Sequence, residues 1–587
     1  MRLMLLGSIL FASLVPGQEL LPKEPVIPWT PAPVAPEAWT GRVLFKLHDD
    51  LPVAAVDGRL VSPVDAVIAD ASRALAGRAV RRLFPEPATF WDALRAEGSA
   101  RTGRRLADLN TWFLAEVGTG VDPVPLCLAL ARSPFVETAY PEGAHGEPGD
   151  VPPVTPLFVS GQGYLGLPPQ GVNAAYAWRF AGGNGLGVRV IDIERGWNFQ
   201  HEDLTSARNA LIIGPLNSGS IQHGTAVLGE MVADRDAWGV DGISYAAEPK
   251  AVSVHQQPMA TGLGIAVMNS QPGDVLLIEQ QLTSPALLPV EYEQANFDAI
   301  VAATAAGRIV TEAAGNGNQN LDAATWGGRF DRAVRDSSAI LVGAGDGQTL
   351  ARLSFSNYGS RLDAQGWGQS VTTTGYGPLF NPGGDQNQWY TSGFNGTSSA
   401  SPIVTGAAID LIGATRTLLG RLLTPLEVRA ILVATGSSEP PTTTRIGPRP
   451  DLKRAFARAG LILSRVADVA PGGEFALELY DPENAGRAYL AAASLASTPG
   501  FALPDGRTVP LVVDGLFYAS LLGGPPTFVQ FLGTLDGSGA ASAAVRLPAV
   551  PELVGFACHV AALVLDGAAP SGVARVSNPA RLLVLAP

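Results

Sequence analysis

Between Val172 and Gly460 the chain keeps changing its hydrophobic rhythm. Unbroken apolar runs, "GVRVIDI", "KAVSVH", "DVLLIEQQ", "GRIVTEAA" and "SAILVGAG", alternate with stretches such as "NFDAIVAATAAG" in which apolar residues recur at helical spacing. A strand apolar on both faces must be covered on both, so the alternation predicts an α/β fold, a mostly parallel sheet between helices. Helices are expected to follow His223 and Ser398 and to begin at Thr424, where "TPLE" offers a capping box with Pro at the first helical position. Beyond Leu461 the rhythm shortens to alternating runs such as "EFALELY", "RAYLAAAS", "TFVQFLGTLD" and "SAAVRL", set apart by Gly, Pro and Asp, which predicts an all-β, sandwich-like domain over 461–587. Ahead of the α/β region, 41–140 reads as a small α+β domain. It is flanked by the Pro-rich linker 18–40 and by 141–171, which has no periodic core.

Composition narrows the classes. The 587 residues are 46% hydrophobic and only 16% charged, which suits several globular domains and not a disordered chain. A formal net charge of −13 with no long basic run argues against nucleic acid as a partner. The opening residues give one Arg and then an apolar run from Leu3 to Val15, too short for a membrane span. Residues 1–17 are therefore expected to be a secretory signal, leaving a soluble protein outside the cytoplasm with no further span. Cys127 and Cys558 fall in different domains and read as two buried thiols, not a structural disulfide.

Candidate chemistry begins at "FNGTSSASP", which crowds hydroxyls at a helix start. Helix capping accounts for that composition, so a nucleophile there needs a base, an orienting acid and an oxyanion donor elsewhere. Of the six histidines, His223 in "HGTAVLGEMVAD" sits at the start of a helix inside the α/β region. Asp192 closes the apolar run "VRVI", and Asn316 follows the strand of "IVTEAAGNGNQN"; a turn or cap role would explain either alone. Together, Asp192, His223, Asn316 and Ser398 place all four required residue types at strand ends or helix starts of one domain.

At these residues the chain resembles the subtilases, subtilisin-like serine peptidases. "HGT" at His223, "AAGN" ending at Asn316, "GTSSASP" around Ser398 and "LSFSNYG" from Leu353 carry the resemblance, over roughly 172–460. It implies that Ser398 is the nucleophile, His223 the base, Asp192 the orienting acid and Asn316 an oxyanion donor, acting on polypeptides. It also implies that 41–140 is an inhibitory propeptide and that calcium can be bound, although no ligand set is evident and none is assigned. The chain departs from the family pattern in two places. Asp192 is followed by Ile193-Glu194, where a small hydroxyl residue and Gly are usual, and "DVLLIEQQL" stands where the substrate-pairing strand usually ends in Ser-Leu-Gly. These departures leave a second reading open, a catalytically weak pseudoprotease that binds peptides or mediates adhesion. A dinucleotide site is excluded, because the glycines of "GGNGLG" precede a strand instead of following one.

Overall fold

The computed structural model describes residues 20–27, 29–31, 39–144, 155–522 and 527–586. The expected signal segment 1–17 lies outside them. The chain divides into two compact units, Met1–Pro152 and Pro153–Pro587.

In the first unit, strands β1 (Trp39–Leu47), β2 (Val80–Arg82), β3 (Trp112–Glu116) and β4 (Val136–Gly143) form an antiparallel sheet in the order β2-β3-β1-β4. Val43, Phe45 and Leu47 alternate along β1 and so share one face. That face is buried against Ala71 of α1 (Asp65–Ala74) and Leu126 and Leu130 of α3 (Val124–Ala131), while α2 (Ala88–Thr102) carries a single buried residue, Ser99.

The second unit is built on a seven-stranded sheet. Its strands are β5 (Arg189–Glu194), β6 (Leu211–Ile213), β7 (Glu248–Ser253), β8 (Val275–Ile278), β9 (Ile309–Ala313), β10 (Ile340–Gly345) and β11 (Ala364–Trp367), all parallel, in the order β11-β10-β9-β8-β5-β7-β6. Val190 of β5, Leu277 of β8 and Ile309 of β9 pack with α4 (Ile221–Val232) and α7 (Thr397–Leu419) on one side; Ile191, Ile193, Leu276 and Ile278 pack with α5 (Met259–Met268) and α6 (Gln294–Ala305) on the other. The apolar runs were therefore continuous because both faces are covered. The chain passes from β5 to β7 on one side and returns to β8 on the other, so a crevice opens at the carboxyl ends of β5 and β8.

An antiparallel pair, β12 (Val371–Thr374) and β13 (Tyr390–Phe394), leads into α7. By length and composition α7 could cross a membrane, but 78% of its apolar window is buried in the protein, as suits a core helix. The expected capping box is present at the start of α8 (Pro425–Thr435), between Thr424 and Glu427. Beyond α9 (Leu452–Ala459) two antiparallel sheets, built around Glu474–Tyr480 with Ala540–Arg546 and around Ala488–Ser494 with Ala557–Leu565, enclose Phe475, Leu477, Val545, Tyr489, Val560 and Ala562. This sandwich belongs to the same compact unit as the parallel sheet, with Arg179 and Lys453 both paired to Glu478. Cys127 and Cys558 are buried free thiols.

Candidate active site

Strand β5 presents Val190, Asp192 and Glu194 on one face because side chains alternate along a strand. Glu194 ends the strand, and its Oε2 lies 2.6 Å from His223 Nδ1. Asp192 sits one pleat deeper, flanked in register by Leu277 of β8 and Ala251 of β7, and its Oδ2 accepts the indole N–H of Trp197 at 2.7 Å. The expectation put Asp192 against His223. The structure puts Glu194 there, since a short side chain within the strand stays below the ring while a longer one at its open end reaches it.

His223 is the third residue of α4 and projects from its first turn, with its side chain 30% exposed and its ring edge-on to Phe394 at 5.5 Å. Gly224 makes this placement possible: a Cβ there would lie 2.4 Å from the carbonyl oxygen of Gly196, so only glycine lets α4 approach the loop after β5. The Asn198 N–H donates to Thr225 Oγ1 at 2.8 Å and ties that loop to the helix.

Ser398 is the second residue of α7, entered through Gly396 at a φ of 104°, which a residue with a side chain rarely adopts. Its backbone N–H is one of the first-turn donors that have no carbonyl within the helix. Ser399 and Ser401 are buried and donate to the carbonyls of Trp367 and Thr397, whereas Ser398 is half-exposed. Asn316, just beyond β9, accepts the N–H of Thr397 at 2.9 Å and its hydroxyl at 3.1 Å through Oδ1, which turns Nδ2 toward the opening. His223, Asn316, Tyr376, Phe394 and Ser398 line one cavity of about 390 Å³.

The subtilase family pattern, Peptidase S8, matches residues 213–456. Over 233 residues the chain is 31% identical to Subtilisin Savinase of Lederbergia lenta, covering 38% of this chain and 76% of that protein. The chain belongs to the subtilase family. It is also 30% identical over 253 residues to subtilisin amylosacchariticus of Bacillus subtilis subsp. amylosacchariticus, and there it spans only 60% of the relative's length. Among solved structures, fervidolysin from Fervidobacterium pennivorans, a keratinolytic enzyme related to subtilisin, aligns over 93% of this chain and 73% of its own at 15% identity and a TM-score of 0.37.

The subtilase match begins after β5, so the strand carrying both acids lies outside it. A signal for Glu194 was nonetheless present: Gly196 stands two residues after it, the spacing of acid and glycine that the family pattern calls for, whereas Glu194 itself occupies that place after Asp192. The other departure is equally concrete. Glu279, the first residue after β8, is buried and contacts Ser401 Oγ. Gln281 accepts the Asn316 N–H at 2.8 Å, and Gln281–Leu282 pairs antiparallel with Leu288–Pro289. Among the described residues no three His, Cys, Asp or Glu side chains form a group that could hold a metal ion, and the Glu202 carboxylate accepts from Gln388 and Tyr390.

Several other carboxyls are buried. Burial, before any other cause, holds Glu230, Glu279 and Asp410 well above the usual carboxylate range and pushes Asp203 up to about 9 and Glu312 up to about 8. Burial likewise pushes Cys127 up to about 12 and Cys558 up to about 11. The native state therefore keeps protons that the unfolded chain releases, from about pH 4 for carboxyls, and stability falls as pH rises toward the native values. Each such group contributes a slope of about 1.4 kcal/mol per pH unit. The thermal midpoint is expected to drop steadily from about pH 7 to pH 9, where histidines are neutral in both states. Scanning calorimetry across that range checks it, and a flat or rising midpoint would mean that these groups are ionised in the native protein.

Proposed function

We propose that this subtilase is a secreted serine endopeptidase in which Ser398 is the nucleophile, His223 the base and Glu194 the acid that orients it. The observation that carries the reading is the 2.6 Å contact between Glu194 Oε2 and His223 Nδ1, at a cavity that His223 shares with Asn316 and Ser398. The Glu194 carboxylate holds the hydrogen on Nδ1, which leaves Nε2 free to accept. Ser398 Oγ opens on the same cavity as His223 and turns to Nε2 for the reaction. As Oγ attacks the scissile carbonyl its proton passes to His223, and the imidazolium gives that proton to the leaving amine. Oxyanion charge is met by Asn316 Nδ2 and the Ser398 N–H, helped by the amino end of α7. Water then attacks the acyl-enzyme by the same proton path in reverse. Burial lowers the affinity of His223 for its proton and so favours the neutral base.

Secretion is supported by the apolar run from Leu3 to Val15, and inhibition by the 41–140 domain by the family resemblance. Polypeptides are the substrate class that follows from the family. The test is reaction of the purified protein with a fluorophosphonate and mapping of the label. Modification of Ser398 is expected, and no labelling of protein freed from residues 1–152 would favour a peptide-binding pseudoprotease instead.

Asn316→Ala is expected to lower kcat by about 10²–10³ with little change in KM, because the lost donor serves charge that exists only in the transition state. Steady-state kinetics on any cleaved peptide measure this, and a loss below about tenfold would assign the oxyanion to other donors.

A further inference from the structure

β5 aims two carboxyls at one place, and only one of them holds His223. Asp192 is 0% and Glu194 1% exposed. Asp192 Oδ2 takes the Trp197 N–H and Glu194 Oε2 takes His223 Nδ1, while Asp192 Oδ1 and Glu194 Oε1 receive a hydrogen from no N–H or O–H of any described neighbour. The two side chains are within hydrogen-bonding distance of each other. The other groups that face the pair are His223 from α4, Glu279 from the end of β8 and Tyr376 beyond β12. Arg195, adjacent in sequence, is turned to His255 at 3.3 Å. Two carboxylates touching in such a setting cannot both stay ionised, and one proton between them makes a donor and an acceptor of the two orphan oxygens.

We propose that Asp192 is a positioning residue that holds this proton: as a neutral acid it donates its O–H to Glu194 and so fixes the Glu194 carboxylate on His223 Nδ1. The proposal rests on the Glu194–His223–Ser398 reading above. The location of the proton follows from the partners. Trp197 can only donate, which suits the carbonyl oxygen of a neutral Asp192, and the imidazolium formed during acylation needs its negative charge on Glu194. Burial and the neighbouring Glu194 charge both hold the Asp192 carboxyl well above its ordinary value; burial also holds Glu194 well above its own, and there the hydrogen bond from Asp192 opposes the rise. Asp192 makes and breaks no bond during the reaction. It keeps a second hydrogen bond on the carboxylate that would otherwise be left to His223 alone.

Asn is a mimic of neutral Asp here, since its amide can donate to Glu194 and accept from Trp197. The rate at which a fluorophosphonate labels Ser398 is measured against pH for the full chain and for Asp192→Asn and Asp192→Ala. Asp192→Asn is expected to label within about threefold of the unmodified protein at neutral pH and to lack the alkaline loss that the unmodified protein shows when Asp192 gives up its proton. Asp192→Ala is expected to label about 10–100-fold more slowly at every pH, the cost of an unpaired buried group. A loss of roughly 10⁴ in Asp192→Asn would mean an ionised, orienting Asp192 and overturn the proposal. So would an alkaline limb unchanged in Asp192→Asn, and that variant decides the matter alone if Asp192→Ala does not fold. Failure of the unmodified protein to label at any pH, both as the full chain and after removal of residues 1–152, would instead remove the peptidase reading itself.

Discussion

Ser398→Ala is expected to abolish fluorophosphonate labelling and to lower kcat by roughly 10⁶, the scale for a peptidase of this kind that loses its nucleophile. The fold is expected to survive, because Ser398 is half-exposed and the substitution removes one oxygen atom without opening a cavity. The thermal midpoint should therefore move by no more than about 2 °C. Ser399 and Ser401 cannot substitute for it: both are buried and both spend their hydroxyl hydrogens on backbone carbonyls. Label appearing on either serine in the Ser398→Ala protein would transfer the nucleophile and refute the assignment.

Glu194→Gln is the second large effect, a fall in kcat of roughly 10⁴ at nearly constant KM. The amide keeps the size of the side chain but can present N–H to Nδ1, which moves the ring hydrogen to Nε2 and leaves His223 unable to accept from Ser398. It also removes the charge that stabilises the imidazolium. Kinetics of Glu194→Gln and Asp192→Asn side by side discriminate between the two acids. If Glu194→Gln stayed within about tenfold while Asp192→Asn lost 10⁴, the orienting role would return to Asp192.

That Glu194 and not Asp192 meets His223 has a definite cause. Both carboxylates lie on the α4 side of β5, so alternation along the strand gives them the same face and cannot rank them. What ranks them is depth. Glu194 is level with His223 because α4 is pressed against the loop at Gly196 and Trp197, a contact between segments separated in the chain by β6 and the loops on either side of it. The acid-to-glycine spacing ending at Gly196 is the one local sign of this in the sequence.

The sequence by itself determined the alternation of buried strands and helices, the separate β-rich region, and the positions of His223, Asn316 and Ser398 at the edges of those elements. These are properties of near neighbours along the chain: apolar periodicity, caps, and glycines at forced turns. Tertiary structure alone decided which carboxylate meets His223, that Ser398 and neither Ser399 nor Ser401 faces the cavity, and that the Asn316 amide is turned by Thr397 to offer its N–H outward. Each of those outcomes depends on the distance between side chains brought together from different elements. A difference of one pleat or one helical turn there, which leaves the local pattern unchanged, exchanges a functional group for a structural one.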